Sequence, residues 1–194
     1  GKKFVLNHPI EDVEALKAEG YDAVFVAVGA SKGMPLGIET EKEWNAVEFL
    51  WAFKNQPEMV KAGKHVVVIG AGNTAMDAAR AAKRLPGVEK VSVVYRRTKR
   101  YMPADEEELK LALEDGVEFQ ELLAPKCHKG GVLTCNKVVL GEMDASGRQK
   151  PVVTEEEVEV PADTVIASLG EQVDSEFYKA QGLSVNEKGV PVVS

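Results

Sequence analysis

Six consecutive residues, Gly70-Ala71-Gly72-Asn73-Thr74-Ala75, fit the pattern G-x-G-x-x-A. In such a turn the first glycine permits a tight reversal, and the second lacks a Cβ, so a diphosphate can approach the backbone. The small sixth residue lets helix and strand touch. The free N–H groups of the helical turn that follows, with the helix dipole, then bind phosphate. Further along, Tyr95-Arg96-Arg97 followed by Lys99 and Arg100 puts positive charge where an NAD-binding fold usually has an Asp or Glu for the ribose hydroxyls. A guanidinium pairs bidentately with phosphate and a carboxylate repels it, so Arg96 and Arg97 point to the 2′-phosphate of NADP.

The remaining reactive residue types offer less. His8, His65 and His128 are scattered, with no partner at ligand spacing, so no metal ligand and no catalytic residue is assigned. Glu106 to Glu108 read as a helix start whose charge suits the dipole, and Asp77, four residues past Asn73, is placed to position the turn. Cys127 and Cys135 flank Gly130-Gly131 and are expected to remain free thiols.

The glycine motif carries weight only if a strand precedes it and a helix follows. His65 to Ile69 is a buried-strand run, Thr74 to about Leu85 an Ala-rich helix ended by Pro86-Gly87, and Val91 to Tyr95 a second strand, which together make a βαβ unit. A helix is expected to begin at Pro103 and reach about Glu114, with a strand over Val117 to Glu121. From Leu122 to Val160, turn signals at Gly130-Gly131 and Asp144-Ala145-Ser146-Gly147 separate β-rich segments, read as an antiparallel meander. Asp163 to Leu169 reads as a further buried strand. Upstream, Phe4-Val5-Leu6 and Asp22 to Val28 read as strands, Ile10 to Glu19 as a helix, and Trp44 to Lys54 as a helix with Trp44, Val47 and Trp51 on one face. The tail offers a short helix near Phe177 and a hairpin around Asn186 to Gly189.

The chain has 194 residues, of which 44% are hydrophobic, enough for a packed core. No apolar run approaches the roughly 18 residues that span a bilayer, and Gly1-Lys2-Lys3-Phe4 does not resemble a signal peptide; a soluble, cytoplasmic protein is expected. A net charge of −7 makes nucleic acid a poor partner. Two cysteines are too few for an iron–sulfur cluster or a disulfide framework.

The strings Gly72-Asn73-Thr74-Ala75-Met76-Asp77, Tyr95-Arg96-Arg97, Met102-Pro103-Ala104, Asp144-Ala145-Ser146-Gly147-Arg148 and Ile166-Ala167-Ser168-Leu169-Gly170-Glu171 together resemble the glutamate synthase small (beta) subunit family of flavoproteins. Dihydropyrimidine dehydrogenase and selenate reductase subunits are relatives in that family, and Gly170-Glu171-Gln172-Val173-Asp174 leans toward the latter branch. The resemblance implies an α/β fold, a Rossmann-like three-layer NAD(P)-binding domain with the meander, flanked by partial FAD-domain segments. Its implied boundaries are 1–43 for an FAD-domain piece and linker, 44–162 for the NADPH domain, and 163–194 for a return strand and a second FAD-domain piece. NADPH contacts would fall on Gly70, Gly72, Asn73, Thr74, Ala75 and Met76, with Arg96 and Arg97 at the 2′-phosphate and Ser168, Leu169 and Gly170 near the nicotinamide.

In that family a hydride passes from NADPH to FAD, and electrons go on to iron–sulfur clusters. The family's earlier G-x-G-x-x-G for FAD, its later Gly-Asp motif and its N-terminal cysteines are not in this sequence. The resemblance therefore implies a fragment with an incomplete FAD site, clusters that lie outside it, and isolated inactivity. Its expected partners are the rest of the FAD domain and an iron–sulfur domain or large subunit, with no membrane. A non-catalytic NADPH-sensing module and an S-adenosylmethionine-dependent enzyme are the alternative readings; the latter usually wants an acid where Arg96 stands.

Overall fold

The computed structural model describes residues 1–145 and 147–193. They form two compact units: residues 33–170, and residues 1–32 together with the tail from 171 onward.

The larger unit contains β1 (Glu39–Thr40), β2 (Glu43–Asn45), α1 (Ala46–Asn55), β3 (His65–Ile69), α2 (Asn73–Lys83), β4 (Lys90–Tyr95), α3 (Glu106–Glu114), β5 (Glu118–Glu121), β6 (Leu123–Lys129), β7 (Val132–Met143), β8 (Gln149–Pro161) and β9 (Thr164–Ala167). Five strands form a parallel sheet in the order β2-β9-β3-β4-β5. The second sheet has the order β1-β6-β7-β8, with β6, β7 and β8 antiparallel in succession and β1 parallel to β6.

The apolar run of β3 is explained by its two faces. Side chains alternate along a strand, so Val66 and Val68 point one way, into a core with Ala46 and Phe49 of α1 and Ala75, Met76 and Ala79 of α2. Val67 and Ile69 point the other way and pack with Leu123, Leu133, Cys135 and Val160 of the second sheet. The result is three layers, helices on parallel sheet on antiparallel sheet, and a central strand with no face left for water.

Several expected elements move. The helix expected from Trp44 starts at Ala46, because Asn45 caps it by accepting from the Val47 N–H at 2.9 Å. Trp44 lies in β2 and meets Phe49 edge to face, while Val47 and Trp51 are largely exposed; the buried face is Ala46, Phe49 and Ala52. α3 begins at Glu106, not Pro103, with Asp105 at its N-cap. The unit is also wider than 44–162. β2 and β9 are ladder strands of its sheet and β1 pairs with β6, so residues 33–43 and 163–170 belong to it.

In the smaller unit, Gln181 joins two short helices, Val13–Ala18 and Ser175–Ala180: its Oε1 accepts from the Val13 N–H at 2.7 Å and its Nε2 donates to the Glu11 carbonyl at 2.9 Å. The first helix is shorter than the expected Ile10 to Glu19, since Asp12 caps it. A bridge between Val185 and Pro191 closes the turn at Asn186 to Gly189. Phe4-Val5-Leu6 and Asp22 to Val28 are not strands, and Phe25 is 92% exposed. An apolar run becomes a doubly buried strand only when neighbours accept its hydrogen bonds and cover both faces. Among the described residues of this unit nothing supplies those neighbours for 22–28.

Candidate functional site

All five strands of the large sheet run parallel, so the segments after β3, β4 and β9 leave from one edge. After the edge strand β2 the chain forms β3, builds β4 and β5 on one side of it, then inserts β9 on the other, between β3 and β2. The carboxyl ends of β3 and β9 therefore flank the point where strand order reverses, where open α/β sheets bind ligands. Gly70 to Gly72 follow β3, and Ser168 to Gly170 follow β9.

Gly70 has φ of +130°, and a Cβ on it would lie 2.1 Å from the carbonyl oxygen of Ser168. It is glycine because two strand exits cross there. The crossing is held by the Ser168 N–H donating to the Ile69 carbonyl at 2.8 Å and the Gly70 N–H donating to the Val94 carbonyl at 3.1 Å. Gly72 differs. Its φ of −89° suits any residue, and a Cβ would meet nothing nearer than Pro103 Cγ at 3.9 Å. Its missing side chain leaves open space in front of the helix start.

Gly72 is the N-cap of α2, with no side-chain acceptor and no acidic residue in the first turn. The N–H groups of Asn73 and Thr74 have no intrahelical acceptor, so positive potential is concentrated at this end. Asn73 is exposed and Thr74 partly so. Ala75 and Met76 face inward, Ala75 as the small sixth residue of the motif. Both are fully buried in the core, and both donate their N–H to the Gly72 carbonyl, at 2.9 and 3.2 Å. They support the turn from behind, and their side chains do not reach its open face.

The two arginines after β4 also part company. Arg96 is exposed. Arg97 is 9% exposed; its Nε donates to the Gln149 carbonyl at 3.1 Å, and its Nη2 lies 3.4 Å from Asp144 Oδ2. Arg97 is thus tied into the β7–β8 end of the second sheet instead of standing open beside Arg96. Tyr101 joins it by donating its hydroxyl to Gln149 Oε1 at 3.2 Å. Of the residues after β9, Ser168 is partly buried, while Leu169 and Gly170 are exposed.

Asp105, Asp144 and Gln149 were not singled out from the sequence as site residues. Asp105 N–H donates to Asn73 Oδ1 at 2.9 Å, and Asn73 Nδ2 donates to Asp105 Oδ2 at 3.0 Å. The neighbouring Ala104 N–H donates to the Ala71 carbonyl at 3.1 Å. Asp77, the residue expected to position the turn, is exposed on α2, and its charge acts on Arg80 instead. A signal for Asp105 existed: Asp is an N-cap residue type, and taking it as the cap would have moved the start of α3 to its observed place.

Away from the turn, the free thiol of Cys135 is pushed up to about 12 by burial, so it stays protonated and inert at neutral pH. His128 is buried, with Nε2 2.9 Å from the Ala162 carbonyl, and serves the core. Among the described residues no group of His, Cys, Asp and Glu could hold a metal ion, and no helix is long and apolar enough to cross a membrane.

A glycine-rich turn at the switch point of a parallel sheet, leading into an uncapped helix, defines a dinucleotide-binding α/β protein. More closely, the chain belongs to the pyridine nucleotide-disulphide oxidoreductase family, which it matches over residues 1–194. It is 45% identical over 184 residues to YgfK of Escherichia coli strain K12, covering 93% of this chain and 18% of that protein. It is 38% identical over 179 residues to the NADPH-Fe(3+) oxidoreductase subunit beta of Geobacter sulfurreducens, covering 85% of this chain and 26% of that one. To the NADPH glutamate synthase small chain of E. coli it is 37% identical over 170 residues, covering 77% and 36%. The chain thus spans well under half the length of these relatives. Among solved structures, Mycobacterium tuberculosis FprA in complex with NADPH superposes with a TM-score of 0.64 at 24% identity, over 81% of this chain and 51% of that one. Thioredoxin reductase of T. acidophilum gives 0.60 at 19%, over 86% and 50%. Both are likenesses of fold.

Proposed function

We propose that residues 33–170 are the NADPH-binding domain of a flavin-dependent oxidoreductase. The observation that carries this reading is the contrast between the two glycines: Gly70 is required by the fold, whereas Gly72 leaves space that the fold does not use. That space lies before a helix end with free N–H groups and no acidic residue in its own first turn, the nearby Asp105 carboxylate being taken up by Asn73 Nδ2, which fits a pyrophosphate. Backbone N–H groups of Asn73 and Thr74 bind the diphosphate, and Gly70, Ala75 and Met76 hold the turn in shape. Arg96 meets the 2′-phosphate, with Arg97 fixing the loop that carries it. Ser168, Leu169 and Gly170 line the nicotinamide side.

When bound, NADPH supplies a hydride for a flavin. This chain's share of the chemistry is to bind, orient and shield, which needs no side-chain acid or base. The described residues of the smaller unit contain no G-x-G-x-x-G turn between strand and helix for FAD, so no step is assigned to flavin held by this segment. In the parent protein we place FAD, iron–sulfur clusters and their partner domain or subunit elsewhere, and the whole in the cytoplasm. The named relatives, an NADPH-Fe(3+) oxidoreductase subunit and a glutamate synthase small chain, support that setting.

Titration calorimetry with NADPH, NADH and S-adenosylmethionine tests the reading. NADPH is expected to bind and S-adenosylmethionine not to. Gly72→Ala is expected to keep the wild-type unfolding temperature and to weaken NADPH more than about tenfold, because its methyl takes up the approach space of the phosphates. Unchanged NADPH affinity in that variant would remove the pyrophosphate from this turn.

A further inference from the structure

The segment from Arg96 to Asp105 is a strap that crosses from the exit of β4 to the start of α3, and both of its ends are pinned. At the first end the Arg97 carbonyl accepts from the Leu122 N–H at 3.3 Å, Arg97 Nε donates to the Gln149 carbonyl, and the Lys99 N–H donates to Glu121. At the second end Ala104 and Asp105 bind Ala71 and Asn73, on the glycine-rich turn itself. Between the pins the side chains of Lys99 and Arg100 are exposed, as is Arg96 just before the first.

The second pin has an unusual feature. Asp at an N-cap normally accepts from the N–H groups of its own first turn, yet Asp105 makes no such bond with α3. Its carboxylate goes to Asn73 Nδ2 instead. Because the Asp105 backbone N–H must meet an oxygen, it fixes the Asn73 amide with Oδ1 toward Asp105, and the other amide end then faces the carboxylate. The helix forgoes its own cap, and the side chain is committed to the first residue of α2.

We propose that Asp105 is a positioning residue for nucleotide selectivity: by holding Asn73 it fixes the distance between the cationic strap and the glycine-rich turn before any nucleotide arrives. This rests on the dinucleotide reading of the turn. A ligand with phosphates at both places gains from a preset spacing because no ordering of the strap remains to be done on binding. A ligand lacking the 2′-phosphate uses only the turn and gains little. Asp105 thereby acts on the ratio of two affinities more than on either alone.

The test is calorimetric titration of the 194-residue chain and its Asp105→Ala and Asp105→Asn variants with NADPH and with NADH, alongside unfolding temperature and, without nucleotide, hydrogen exchange at the Ala104 and Asp105 amides. Asp105→Ala is expected to bind NADPH about fivefold more weakly, with NADH changed by less than about twofold, the loss of one hydrogen bond acting on one ligand arm. Its backbone amides at positions 104 and 105 are expected to exchange faster. Asp105→Asn keeps an acceptor for Asn73 Nδ2 and is expected to restore both. Equal weakening of the two nucleotides, or a lower unfolding temperature with an unchanged affinity ratio, would overturn the proposal and leave Asp105 a structural residue. Failure of the wild type to bind NADPH would instead bring down the dinucleotide reading, and this proposal with it.

Discussion

Two glycines two positions apart illustrate how one motif combines fold and function. A methyl on Gly70 would meet the Ser168 carbonyl at 2.1 Å, and its backbone sits at a φ that L side chains rarely adopt. Gly70→Ala is therefore expected to destabilise the protein by about 3 kcal/mol or more, read in a denaturant titration, with nucleotide binding lost as a consequence of the displaced loop. Gly72→Ala, with open space around it, keeps stability and loses only affinity. The arginine pair divides in the same way. Arg96→Gln is expected to cost NADPH about tenfold or more and leave NADH unchanged, since the exposed guanidinium interacts only with the extra phosphate. Arg97→Gln breaks a buried tie to Asp144 and the Gln149 carbonyl, so its effect is expected in the unfolding temperature first. The motifs pointed to all four residues, yet what ties Gly70 and Arg97 to the fold is Ser168 for the one and Asp144 and Gln149 for the other, far along the chain, and local spacing carries no record of those.

At the level of elements, what the sequence showed depended on whether the determinant was local. β3, α2 and β4 were readable because continuous apolar strands, an Ala-rich helix and a glycine turn each state their structure within a dozen residues. The start of α3 was misplaced because Pro103 is a plausible first helical residue, whereas the observed start follows Asp105, which is bound to a turn 32 residues earlier. Asp163 shows a similar dependence on distant partners. It accepts from the Lys64 and His65 N–H groups at 2.7 and 2.8 Å, tying the entry of β9 to that of β3 across 98 residues. The His65 N–H above all holds its carboxyl below the usual carboxylate value; burial opposes it, and the Lys64 N–H adds to the lowering. A carboxylate depressed in the folded state adds stability above its unfolded value and loses it as pH falls through the folded one. Stability is thus expected to fall below about pH 4, and Asp163→Asn, which cannot ionise, is expected to show a shallower acid slope when unfolding temperature is followed from pH 6 to pH 2.

Over the whole molecule, the two units differ in how they satisfy their own chains. Residues 33–170 bury both faces of a five-stranded sheet and pair its strands in a continuous ladder, so every apolar run found there in the sequence became a strand or a core helix. Residues 1–32 contain an apolar run of equal promise, Ala23-Val24-Phe25-Val26-Ala27-Val28, and leave Phe25 92% and Val28 55% exposed. Composition alone does not distinguish the two cases, because strand formation depends on neighbours that a run does not itself encode. Unpaired, exposed backbone is where a protease can seat a substrate strand. Limited chymotrypsin digestion is therefore expected to cut first after Tyr21 or Phe25 and in the tail after Gly170, and to leave a resistant fragment that contains 33–170, identified by mass. That fragment is expected to retain the NADPH affinity of the intact chain, since the turn, the strap and the β9 exit all lie within it. Early cleavage inside 96–105 instead would show that the strap is not held by its two pins, and the fixed spacing between cations and glycine-rich turn would fail with it.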